Sequence, residues 1–201
     1  MIKIIFILRL LIHKNIKNFL LKISNKIYLK GNFTSWGQAI NKCNKGYDSE
    51  IIFEKIKHNF LKSLKNSLYY ERDGLLLKKN DFINDDLIIK YYSKLNKQKK
   101  NIKILDVGGG TGALYFKNIN LLKKNKYLKW TVYEKKRLVL FLKKNYSSKQ
   151  IKFSHNLNQI INEKFNIILL QSSLHYFVKP YEFLNKILQV NSDFLIIDET
   201  P

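Results

Sequence analysis

From residue 102 onward, short apolar runs alternate with longer amphipathic segments, and this alternation leaves few folds open. Runs at 102–107, 130–134, 151–154, 165–170 and 193–198 have the length and the Ile, Val, Leu and aromatic content of strands. Between them, segments around residues 112–126, 135–147, 156–163 and 180–189 have helical patterning. Strand and helix in regular succession imply parallel pairing, because a parallel neighbour is reached only through a long crossover. The expected fold is therefore α/β: a Rossmann-like, doubly wound, mostly parallel sheet of five strands, with ligands held at the carboxyl ends. An N-terminal helical extension precedes it.

Upstream, residues 1–30 read as a basic amphipathic helix, with Ile5, Leu8, Ile12, Ile16, Phe19, Ile23 and Ile27 spaced by three and four. Lys3, Arg9, His13 and Lys14 break its apolar stretch far short of the ~20 residues that cross a bilayer. Arg9 also splits any signal-peptide core. Two readings remain: the helix docks on the domain or another subunit, or it makes peripheral membrane contact with its lysines toward anionic headgroups. Residues 31–100 form a helical region, and 101–201 the ligand-binding domain. Ser35 and Gln38 have capping-box spacing ahead of a helix over 36–45, and Asp48 is the expected N-cap of a helix over 49–67. Tyr69–Gly74 breaks the helical pattern, and a further helix is expected over 81–95.

The strongest local signal is Leu105-Asp106-Val107-Gly108-Gly109-Gly110-Thr111-Gly112, a glycine-rich turn between a buried strand and a helix. Glycine is needed there because a side chain would stop the backbone turning sharply and approaching a ligand. Gly108, Gly110 and Gly112, with Asp106 two residues before them, resemble motif I of the class I methyltransferases. That resemblance implies S-adenosylmethionine as cofactor, with the acidic residue organising the loop and the loop backbone cradling the cofactor's amino-acid part. The same letters also satisfy the dinucleotide pattern G-x-G-x-x-A with Ala113 last. Asp106 weighs against that reading, since a carboxylate beside a pyrophosphate is electrostatically unfavourable.

Glu134 ends the second strand, 28 residues after Asp106, where a carboxylate accepts hydrogen bonds from ribose hydroxyls. After the fourth strand, Gln171-Ser172-Ser173-Leu174-His175-Tyr176 is a polar cluster facing the crevice. Gln171 is the expected cofactor contact there, His175 and Tyr176 are the catalytic candidates, and Ser172 and Ser173 read as turn residues. A histidine suits general-base work because its ordinary pKa lies near neutrality. Asp198 and Glu199 are neighbours in a strand, so they point to opposite faces and do not act as a pair. No His, Cys and Asp cluster has ligand spacing, so no metal is expected.

A wider set of segments resembles a group of bacterial methyltransferases known mainly from sequence. These are Gly31 to Trp36, Gly46-Tyr47-Asp48, Tyr70-Glu71-Arg72-Asp73, Leu105 to Gly112, Val132-Tyr133-Glu134, Ser172 to Tyr176, and Ile196 to Pro201. The resemblance implies a sugar or surface-polysaccharide precursor as acceptor. Two departures stand out: His175 occupies a position where that group commonly has glutamine, and the sheet's sixth and seventh strands are missing. The chain therefore reads as a truncated product with Phe194 to Ile197 at an edge. The Tyr70 to Asp73 segment covers the pocket or forms a charged helix-end network.

The net charge is +22, yet only Arg9, Arg72 and Arg137 are arginines among 37 basic residues. Arginine is the usual bidentate reader of phosphate and guanine, so a solvated lysine surface is expected rather than a specific nucleic-acid partner. Cys43 is the single cysteine, which excludes an internal disulfide and fits a cytoplasmic setting. The alternatives to a methyltransferase acting on a small molecule or glycan precursor are an RNA methyltransferase and a non-catalytic scaffold that kept the fold.

Overall fold

The computed structural model describes residues 32–42, 48–79, 87–98 and 101–198. The expected helix over 1–30, Gly31, Cys43, Gly46, Tyr47, residues 81–86 and Glu199 to Pro201 lie outside the described residues. The chain divides into two units, residues 1–45 and 46–201.

In the first unit the described residues form one short helix, α1 (Trp36–Lys42). Ser35 Oγ accepts from Gln38 N at 3.3 Å, but the Gln38 side chain turns to Thr34 N and Oγ1 instead of Ser35 N, so only half of the capping box forms.

The second unit opens with α2 (Glu50–Lys65). Its N-cap is Ser49, whose Oγ accepts from Ile52 N at 3.2 Å, and not Asp48. Asp48 instead receives Lys135 Nζ at 2.6 Å. Ile56, Phe60 and Ser63 recur at four and three, so one face of α2 is buried. Phe60, fully enclosed, meets Phe116, Phe141 and Tyr146 edge to face.

A β-hairpin follows where the sequence pattern shows only an interruption: β1 (Tyr69–Arg72) and β2 (Leu75–Lys78), paired antiparallel with Arg72 opposite Leu75. Asp73 and Gly74 form its two-residue turn, both at positive φ (54° and 78°), as an Asp-Gly turn of this hand requires. Then comes α3 (Leu87–Asn96).

The sheet strands are β3 (Lys103–Val107), β4 (Lys129–Tyr133), β5 (Ile151–Ser154), β6 (Phe165–Gln171) and β7 (Ser192–Asp198). All pair in parallel, in the order β5-β4-β3-β6-β7. The connections carry α4 (Ala113–Lys117) and α5 (Ile119–Leu122), α6 (Lys136–Asn145), α7 (Leu157–Ile161) and α8 (Pro180–Leu188). The single helix expected over 112–126 is broken at Asn118, whose Nδ2 donates to Leu114 O at 2.9 Å and whose backbone leaves helical geometry.

The central strands are apolar on both faces because both faces are covered. Ile104, Ile167 and Leu169 join Phe60, Tyr92, Phe116 and Leu142 in one core layer, while Leu105, Val107, Ile168 and Leu170 join Ile160 and Ile187 in the other. Chain direction away from β3 reverses between β4 and β6, so β3 marks the switch point at which such sheets open a crevice. No helix among the described residues is long and apolar enough to cross a membrane.

Candidate functional site: a glycine loop between carboxylates

Past Val107 the backbone turns through Gly108, Gly110 and Gly112, at φ values of 72°, 57° and 85°. The loop is tied down by its own amides. Gly108 N donates to Tyr133 O at 2.8 Å, Gly110 N to Glu134 Oε2 at 3.2 Å, and Gly112 N to Gly109 O at 2.9 Å. A Cβ on Gly109 would lie 2.4 Å from the Asp106 carboxyl carbon, whereas one on Gly110 would meet nothing within 4 Å. The loop therefore rests on Asp106 and is open above Gly110.

Three acidic side chains hold this loop. Asp106, 2% exposed, accepts from Trp130 Nε1 at 3.1 Å. Burial pushes its pKa up to about 7, against the Trp130 hydrogen bond and the Arg72 charge, with the Glu134 charge adding to the rise. Glu134, one residue beyond β4, is fixed by its backbone to Ser154 O at 3.0 Å and accepts from Lys135 N as well as Gly110 N. The third is Glu71 of the hairpin, 3% exposed, which accepts from Thr111 Oγ1 and from Gly74 N at 2.7 Å. Burial raises Glu71 to about 7 as well, the two hydrogen bonds opposing.

Glu71 has no place among the site residues expected from the sequence. The helix-end network expected of Tyr70 to Asp73 does not form: the segment is a strand and its turn, and its glutamate grips the loop through Thr111. The Asp73-Gly74 pair is the available signal, since Asp-Gly between two short apolar or aromatic runs marks a hairpin.

On the other side of the loop, Gln171 ends β6 and donates to Asp198 Oδ2 at 3.5 Å. Ser172 has the left-handed φ of 50°, and Ser173 is 4% exposed with its Cβ against Gly108. A 3₁₀ turn, Leu174–Tyr176, carries His175, half-buried, and Tyr176, exposed, their rings 4.1 Å apart. Asp106, the glycines and Glu134 are thus in mutual contact, while Gln171, His175 and Tyr176 stand at the end of β6. A cavity of about 340 Å³ lies elsewhere, along the outer edge of β5 beside Tyr146, Lys152 and Glu163, and none of the loop residues lines it.

Three solved structures show what this architecture is similar to. The plantazolicin methyltransferase BamL, in complex with a triazolic desmethylPZN analog and SAH, matches at 17% identity and a TM-score of 0.45, covering 79% of this chain and 53% of its own. Human N-acetylserotonin methyltransferase, in complex with SAM, matches at 17% identity and 0.39, covering 80% and 39%. The 16S rRNA methylase ArmA matches at 18% and 0.40, covering 83% and 76%. All three are methyltransferases. The chain spans about half the length of the first and less of the second, and at these scores the likeness goes no further than the fold. No protein-family model and no curated protein matches the chain.

Proposed function

We propose that the chain is an S-adenosylmethionine-dependent methyltransferase whose cofactor sits on the 108–112 loop. The observation that carries this reading is electrostatic. A phosphate-binding turn offers free backbone amides to an anion. Here the amides of Gly108, Gly110 and Gly112 are already committed to protein acceptors, and the Glu134 carboxylate lies beside the loop, in reach of Gly110 N. Such surroundings disfavour a pyrophosphate and favour a ligand that carries positive charge, as a sulfonium with an α-ammonium group does. Glu134 fits as the acceptor for ribose hydroxyls, and Gln171 as a contact near the amino-acid end.

When bound, the cofactor supplies a methyl group on a sulfonium, already a strong leaving group. The chain's own contribution is then positioning and exclusion of water. His175 and Tyr176 lie on the turn that follows β6, and His175 is the candidate to take the acceptor's proton. A sugar or surface-polysaccharide precursor as acceptor rests on the sequence resemblance alone.

Calorimetric titration tests the cofactor directly. Saturable heat is expected with S-adenosylmethionine and its demethylated product, and none with NAD; saturation by NAD, or silence with all three, defeats the reading. Substitution at Gly110 checks the location. Gly110→Ala puts a left-handed strain of about 1–2 kcal/mol on the loop, leaving the fold intact. Its methyl enters the open space above the loop, so affinity for the cofactor is expected to fall at least about tenfold, roughly 1.4 kcal/mol. Unchanged affinity in a folded G110A protein would place the ligand elsewhere.

A further inference from the structure

Ion pairs are distributed unevenly over the sheet domain. Lys57, Lys135, Arg137, Lys152 and Lys179 each have an acidic partner. The lysines where the strands begin have none among the described residues. β3 starts with Lys103 and β4 with Lys129, Lys149 stands two residues before β5, and Lys164 immediately precedes β6. All four are exposed. Because the strands run in parallel, their starts share one end of the sheet, opposite the glycine loop that follows Val107.

The register brings these charges close together. Lys103 and Lys129 are Cα partners in adjacent strands, so their side chains leave the same face only about 4.8 Å apart, where like charges repel. Lys129 Nζ donates to Lys149 O at 2.8 Å, which draws the next lysine into the row. The turn that enters β4 adds Lys123 and Lys126, also exposed. At the open end of the hairpin, the Lys79 pKa is lowered by burial and then by the Lys123 charge, which sets that end beside the row. Among the described residues the acidic groups here are Asp193, at the β7 corner, which accepts from Asn166 Nδ2, and Glu163, held by Lys152.

Apolar side chains stand among these lysines. Tyr127, between Lys126 and Lys129, is 59% exposed. Leu121, two residues before Lys123, is exposed as well, and so is Leu68, whose carbonyl accepts from Lys79 N at 2.8 Å. Lysines around an exposed tyrosine and leucines suit a surface of anionic headgroups over an apolar layer, because ammonium groups meet the headgroups while ring and leucines reach below them. A nucleic acid gives the leucines no role. It is also read by arginine, and the described arginines are elsewhere in ion pairs, Arg72 with Asp73 and Arg137 with Glu50.

We propose that the amino-terminal end of the sheet is a docking surface for an anionic phospholipid bilayer, held by the strand-start lysines with Tyr127 at headgroup level. Docked in this way, the protein turns its glycine loop, at the opposite end of the same strands, away from the bilayer. The assignment is independent of which cofactor the loop takes.

Cosedimentation of the full chain with vesicles provides the test. Binding is expected to vesicles of mixed phosphatidylcholine and phosphatidylserine, weakening as salt rises, and not to phosphatidylcholine alone. Lys103→Gln with Lys129→Gln is expected to lower the affinity about tenfold, and Lys149→Gln with Lys164→Gln to do the same. The control is Lys55→Gln with Lys136→Gln, which removes equal charge from α2 beside the hairpin turn and from the start of α6; its loss is expected to stay below about twofold. Tyr127→Ser is expected to weaken vesicle binding and leave the binding of poly(U) unchanged. Equal losses in the control and in both strand-start pairs overturn the assignment, as do equal binding to both kinds of vesicle and absence of binding. A fall in poly(U) affinity in the strand-start variants, with vesicle affinity unchanged, overturns it in favour of a nucleic acid.

Discussion

Trp130→Ala is expected to remove about 4 kcal/mol or more of folding stability, read from urea unfolding at neutral pH. Trp130 is fully enclosed and is the largest such side chain among the described residues. Its ring meets Tyr115 edge to face, with centroids 5.9 Å apart. Truncating a buried aromatic to alanine costs about 3–5 kcal/mol, because the cavity left behind collapses only in part. A second loss adds to this. The indole N–H donates to Asp106 Oδ2, so its removal strips a buried carboxyl group of a partner, at a cost of about 1–3 kcal/mol. Trp130→Phe separates the two losses, since it keeps most of the ring and deletes the donor. A drop of about 1–3 kcal/mol is expected for W130F, well short of W130A. Equal losses in both variants would assign the whole effect to the hydrogen bond, and a W130A loss below about 1 kcal/mol would contradict the core position of Trp130. Domains have only about 5–15 kcal/mol in total, so W130A is expected to sit near its unfolding threshold.

Trp130 also shows how much of the fold is legible in the amino-acid sequence. As part of the run 130–134 it belongs to a recognisable strand, because strands covered on both faces are apolar throughout and need no partner to be seen. The glycine loop is equally visible, since a sharp turn after a strand demands glycine locally. Part of what the loop touches is equally local, since Asp106 sits under Gly109 as the resemblance implies. Glu134 reaches Gly110 from 24 residues away and Glu71 reaches Thr111 from 40, and no local pattern encodes contacts of that range.

Glu71 is hidden for a second reason. Glutamate is rarely buried, so a Tyr-Tyr-Glu-Arg segment reads as surface even when its glutamate is enclosed. The hairpin is written in Asp73-Gly74, but strands of four residues show too little alternation to stand out. At Asp48 and Ser49 two good caps are adjacent, and the choice between them depends on Lys135, which draws Asp48 away. Ser173 reads as an ordinary turn residue because its enclosure is set by the packing of β6 against the loop.

The two carboxyl groups that grip the loop give the protein an unusual pH dependence. Glu71 and Asp106 each titrate near 7 in the folded state, against ordinary values of 4.5 and 3.8. Well below these ordinary values both are protonated whether the chain is folded or not, and their contribution to stability is full. As pH rises from about 4 to 7, the unfolded chain releases these protons while the folded one retains them, so stability falls; above about 7 the loss is complete. For Glu71 the displacement corresponds to about 3 kcal/mol. Glu71→Gln isolates this share. The amide can accept from Gly74 N and donate to Thr111 Oγ1, as the protonated acid does, and the threonine hydroxyl can turn to Glu71 O, 3.4 Å away. Stability of E71Q and of the unsubstituted protein is therefore expected to agree near pH 4, with E71Q the more stable by about 3 kcal/mol at pH 8. Glu71→Ala would lose stability at both pH values, since Gly74 N then lacks its acceptor. Parallel pH curves for E71Q and the unsubstituted protein, measured by urea unfolding, would show that Glu71 is ionised in the fold and that its two hydrogen bonds outweigh its burial.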